Sequence, residues 1–192
     1  MTSTELLKEV RTITQNNLEV LKKKFSHLSK EQKNWKATEH AWNVQEIFAH
    51  LNQYALFYHH AFLSRISKTR FTEPKELYQS SPLGRSAWKS MKLGNAKNVK
   101  RKFNSARNYN PTIEPSLLHE NDIQLFENGQ KDLLEIIEKA ASVNIRKVKV
   151  PISMSKIIKL RLGDALLFVA YHNERHVQQA LNVLSHQNFP KK

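Results

Sequence analysis

The sequence predicts an all-α protein: a four-helix bundle of up-down-down-up order, with a long basic crossover between its second and third helices. Three observations carry that expectation. Apolar residues recur at helical intervals in four stretches, about 2–28, 43–65, 116–141 and 162–186, and regular alternation is confined to a few residues before Pro151. Roughly fifty residues, 66–115, separate the second stretch from the third; a connection that long lets the chain return the length of a bundle, so helices two and three run parallel. With 192 residues there is enough chain for one substantial core and too little for two, so a single domain over 1–192 is expected.

The first helix opens at Thr2, where Glu5 completes a capping box, and Leu6, Val10, Ile13, Leu21, Phe25 and Leu28 supply its core stripe. SKEQ at 29–32 repeats the box and predicts a short extra turn before a connection through Trp35 and His40. The second helix has the clearest start: Asn43 is a good N-cap, Glu46 sits at N3, and Trp42 with Ile47 occupies the two positions of a hydrophobic staple. On its wheel Ile47, Tyr54, Phe57 and Ala61 lie within about 60° of His50, which places an imidazole on an apolar stripe. His59 falls opposite that stripe and His60 roughly 80° from it, so both read as ordinary polar positions.

Residues 66–115 are punctuated by Pro74, Pro82, Gly84, Gly94, Pro111 and Pro115, and a segment of this length either carries short helices of its own or moves. The third helix, 116–141, shows Leu118, Leu125, Leu133, Ile136, Ile137 and Ala140 as its apolar face, with Gly129 a weak point costing about 1 kcal/mol relative to Ala. Residues 143–158 read as a connector with an extended piece. In the last helix Ala165, Val169, His172, His176, Gln179 and Val183 fall on one stripe.

Two imidazoles one turn apart on a buried face can point at a common atom, and a divalent metal is the usual reason to place them so. Nine His in 192 residues give roughly 0.4 pairs at this spacing by chance, however. The pair alone therefore leaves two readings open: metal ligands, or core histidines bonded to their surroundings.

The chain has no Cys, which removes disulfides, thiolate ligands and a cysteine nucleophile together. The segment MTSTELLKEVRT has no apolar h-region, and the longest apolar run, Ala165 to Tyr171, is too short to cross a bilayer. A soluble cytoplasmic protein with no membrane partner is expected. The net charge of +14 is concentrated: residues 65–107 hold twelve Lys/Arg against two acids, a net +10. Within that insertion SAWKSMKLG (86–94) and NVKRKFNSARNY (98–109) interleave aromatics with cations. That pattern suits a nucleic-acid surface, a solvated basic loop, or a cover whose charge draws an anionic substrate to a site beneath it.

WNVQEIFAHL (42–51), followed after more than a hundred residues by LGDAL (162–166) and HNERHVQQ (172–179), resembles the DinB-like (YfiT-like) superfamily of DNA-damage-inducible, metal-dependent proteins. The specific part is a Trp-initiated helix bearing His-Leu, then a C-terminal helix bearing His-x-x-x-His-x-x-Gln. The resemblance implies an up-down-down-up bundle with a metal held by His50, His172 and His176. Three histidines leave an ion an open position, as in catalytic sites, and all-imidazole ligation suits zinc or nickel. Characterised members of the superfamily include thiol S-transferases using bacillithiol or related thiols and a thiol-dependent isomerase; others have been described as hydrolases. The implied activity is a metal-dependent transferase or hydrolase in which a small thiol cosubstrate, or water, attacks an electrophilic small molecule. Gln179, Tyr54 and Arg175 are candidates to orient ligand or substrate, with Arg175 at the rim or in a surface ion pair. Glu174 points off the face that bears the histidines. Bundles of this type often form homodimers. The alternative function is nucleic-acid or anionic-ligand binding through residues 65–107, with the metal structural or absent.

Overall fold

The computed structural model describes residues 1–94 and 105–191. Its long helices are α1 (Ser3–Lys24), α3 (Val44–Ser67), α5 (Asp122–Ala140) and α6 (Leu162–Leu184), joined by the shorter α2 (Lys30–Asn34) and α4 (Pro82–Met91). Three of the six α-helices among the described residues open with capping boxes. Thr2, Ser29 and Asn43 accept from the backbone N–H three residues on, and Glu5, Gln32 and Glu46 return the bond. Trp42 is half-buried over the cluster that holds Val44 and Ile47, as the staple requires.

α1 and α3 each pack against both α5 and α6, so every long helix has two long neighbours. Tyr58, Phe62, Leu133, Ile137 and Leu166 fill one part of the core, and Phe25, Phe48 and Phe126 stack in another. At about 25 cal/mol per Å² of apolar surface removed from water, burial of such rings is what holds the helices together.

Several boundaries and one class differ from the sequence expectation. α1 stops at Lys24 with Phe25 as its C-cap, short of residue 28. α5 begins at Asp122 and not at 116, because the Asp122 carboxylate accepts from the His119 N–H, Gln45 and Asn52 and fixes the chain there. Leu118 is consequently outside the helix and Leu125 is 37 % exposed; the buried stripe is Phe126, Gln130, Leu133, Ile137 and Ala140. The protein is mostly helical but not purely so. Residues Lys149–Ile152 (β1) and Ser155–Arg161 (β2) form an antiparallel pair. Pro151 breaks helical continuity, β-branched residues favour the pleat, and Val150 and Leu160 turn inward as partners. The Leu162 N–H then bonds the Val148 carbonyl, so α6 starts directly from the hairpin.

The described part of the crossover carries short helices. Ser81 caps α4, Pro82 occupies its first turn, and α4 lies along α6. The fully buried carboxylate of Asp164 accepts from the Ser81 N–H and from its Oγ, each at 3.0 Å. Short 3-10 turns follow at Arg107–Tyr109 and Pro115–Leu117. Residues 95–104 of the basic stretch lie outside the described residues. No helix among the described residues is long and apolar enough to cross a membrane.

Candidate metal centre

α3 presents His50 two turns from its cap, and α6 presents His172 and His176 one turn apart. The two helices pack so that one ligand atom from each ring lies within 4.8 Å of the others. Ring centroids are 5.2 Å apart for His50–His172, 4.7 Å for His50–His176 and 4.6 Å for His172–His176. The Nε2 atoms of His50 and His172 approach to 3.3 Å.

The hydrogen-bond partners decide which nitrogens face inward. His50 Nδ1 lies 2.5 Å from the Tyr109 carbonyl oxygen, which can only accept, so Nδ1 carries the proton and Nε2 is bare. His176 Nδ1 donates to Gln179 Oε1 at 2.8 Å, with the same result. His172 Nδ1 is buried without a hydrogen-bond partner among the described residues. Its ring is held instead between Tyr54 (centroids 4.3 Å) and Phe168 (5.8 Å, 14° between planes).

Burial keeps all three rings neutral. It pushes His50 down to about 4, the Tyr109 carbonyl opposing, and drives His172 and His176 well below the usual imidazole range. The neighbouring imidazoles and Arg175 depress both α6 histidines further. Three neutral imidazoles aimed at one point, with the outer nitrogens of two already committed, are the donor set that a borderline divalent ion takes. The residues present fit a metal.

The remaining candidates fall into place around this cluster. Gln179 holds His176. Tyr54 lies against both His50 and His172, with centroids 4.9 and 4.3 Å away. Arg175 is buried on α6, 6 % exposed. Glu174 points away, into a separate cavity of about 890 Å³ between α1 and α6 that Glu9, Lys92 and Tyr171 also line.

Four residues of the site were not picked out as site residues. Tyr109 and Ser105 come from the end of the crossover, and nothing in the sequence marks them as neighbours of His50. Phe168 sits one turn before His172 and was legible by spacing. Trp42, read as a staple, also lies 4.9 Å from the His50 ring and 6.2 Å from that of His176. The Tyr58 and Tyr109 hydroxyls approach the hairpin at Ser153, as does that of Tyr54.

Fold and site together define a helical protein with an inward-facing three-histidine cluster able to hold a metal ion. The sequence profile of the DinB superfamily matches residues 12–180, a span that contains all three histidines, and the chain belongs to that superfamily. Searches of curated proteins and of solved structures return no match.

Proposed function

We propose that this chain is a metal-dependent enzyme, a single domain built as an up-down-down-up four-helix bundle, in which His50, His172 and His176 hold a divalent transition metal, zinc or nickel. It would join a small thiol, or water, to an electrophilic small molecule. A metal with an open position would supply the nucleophile by lowering the pKa of a bound thiol or water. The observation that carries the reading is the convergence of three neutral imidazoles, with no carboxylate joining them among the described residues and no cysteine in the chain.

The chain's own residues do the rest. The Tyr109 carbonyl and Gln179 fix the tautomers of His50 and His176. Trp42, Tyr54 and Phe168 wall the cluster with aromatic surface and keep bulk water from its sides. Burial raises the Tyr54 and Tyr109 hydroxyls above the usual phenol range, so both stay protonated at neutral pH and can donate to an oxygen of the substrate.

Elemental analysis of the wild type against a His172→Ala, His176→Ala double variant tests this. The expected result is one equivalent of transition metal in the wild type, and none in a variant that keeps its helical circular dichroism. Wild type that takes up no metal after reconstitution with zinc and nickel refutes the proposal. A loaded protein would next be screened for consumption of thiols in the presence of electrophiles.

A second reading rests on the charge of residues 65–107, whose Arg85 and Lys89 stand exposed one turn apart on α4. Nucleic acid or another polyanion would bind there by phosphate contacts, and such binding weakens steeply with salt.

A further inference from the structure

The three imidazoles are not equivalent. His50 and His176 each spend an Nδ1–H on an oxygen, so their inward nitrogens are bare before anything binds. His172 has no such commitment: its Nδ1 is buried and unpartnered among the described residues, while its Nε2 lies 3.3 Å from the bare Nε2 of His50.

Placing the His172 proton on Nδ1 in the metal-free protein would bury an N–H with nothing to receive it. It would also leave three lone pairs facing one another across less than 4.8 Å. Placing it on Nε2 makes one hydrogen bond to His50 and leaves only a bare acceptor behind. Orphaned buried N–H groups are the rarer and costlier case. The metal-free protein therefore prefers Nε2–H at His172. A metal requires the opposite, because all three Nε2 lone pairs must face it.

We infer that His172 is a tautomeric gate: it carries its proton on Nε2, donating to His50, until metal arrives, and on Nδ1 once metal is held. This rests on the metal reading above. The proton that leaves Nε2 is matched by one taken up at Nδ1 of the same ring, so the imidazole stays neutral throughout. Tyr54, tilted against the ring, and Phe168, stacked on it, suit this role, since aromatic packing fixes the plane of a ring without dictating which nitrogen is protonated. A hydrogen bond to Nδ1 would have fixed both.

The test is long-range ¹H–¹⁵N correlation spectroscopy on the full ¹⁵N-labelled chain, stripped with chelator and then titrated with Zn²⁺. Each ring is assigned by the signals lost in His50→Ala, His172→Ala and His176→Ala. In the stripped protein His50 and His176 should show the Nδ1–H pattern and His172 the Nε2–H pattern; with zinc bound, all three should show Nδ1–H. A His172 that is already Nδ1–H without metal overturns the inference, as does one that remains Nε2–H with zinc bound. If zinc does not bind at all, the metal reading fails and the gate with it, whereas the Nε2–H pattern in the stripped protein would still establish the His172–His50 bond. The two failures are thus separable.

Discussion

Two glycines in helices offer a matched pair of substitutions with opposite expected signs. Neither has a positive φ, so sterics and helix propensity decide both cases. A Cβ added at Gly84 would lie 2.1 Å from Asp164 Oδ2 and 2.3 Å from Cγ, far inside any tolerable separation. The carboxylate cannot step aside without giving up the Ser81 N–H and Oγ, and it is fully buried. Losing two hydrogen bonds to a charged group costs about 1.5–3 kcal/mol each. The gain in helix propensity returns at most about 1 kcal/mol. Gly84→Ala should therefore destabilise by about 2–5 kcal/mol. At Gly129 the added Cβ would meet Ala55 Cβ and His59 Cε1 at 3.7 Å, ordinary van der Waals distance. There the propensity term stands alone, and Gly129→Ala should stabilise by up to about 1 kcal/mol. Urea unfolding followed by far-ultraviolet circular dichroism measures both. Midpoints for the two variants that agree within the equivalent of about 0.5 kcal/mol would refute the claim that the Asp164–Ser81 clamp fastens α4 to α6.

Two further outcomes concern the histidines. Burial lowers the folded-state pKa of His50 and of His59 to about 4 and of His172 and His176 further, so between pH 6.5 and about 4 the unfolded chain binds more protons than the folded one. Stability of the metal-stripped protein should be fully present above pH 6.5 and fall as pH drops through that window, by about 3 kcal/mol for His50 alone; urea midpoints that do not move between pH 7 and 5 would contradict this. Gln179→Leu removes the acceptor for His176 Nδ1 and should weaken zinc binding about 10–100-fold in a chelator competition, with Gln179→Glu restoring it.

How far the sequence could be read follows from which signals are local. Capping boxes involve residues three apart, and those at Thr2, Ser29 and Asn43 form as written. The histidine stripes are equally local to α3 and α6, which is why His50, His172 and His176 could be singled out before any packing was known. The start of α5 was not legible, because it depends on Asp122 bonding Gln45 and Asn52 from another helix. Leu133, Ile136, Ile137 and Ala140 are buried as expected, and only the first turns of the face differ, with Phe126 buried in place of Leu125. The hairpin was seen only as an extended piece, since β2 carries Ile157 and Ile158 outward and so lacks clean alternation. The burial of Arg175 was not legible either, because a wheel treats every charge as solvent-seeking, whereas α6 is buried around much of its circumference.

The basic crossover is anchored at both described sides to the helices that carry the histidines. Near its start Ser81 is clamped to Asp164 on α6; at its end the Tyr109 carbonyl and Ser105 Oγ meet His50 Nδ1 on α3. The described flanks of residues 65–107, a stretch whose sequence carries +10, are thus joined to the helices of the cluster. The field of that charge should raise the local concentration of anions at the site and do nothing for neutral molecules. If the proposed reaction runs there, kcat/KM for an anionic electrophile should fall several-fold between 20 and 300 mM salt, where the screening length contracts to below about 10 Å, and a neutral analogue should be unaffected. Neutral and anionic substrates with the same salt response would detach the crossover from catalysis. Its charge would then be better explained by binding a polyanion elsewhere on its surface, and the slope of that binding against salt would count the phosphates engaged.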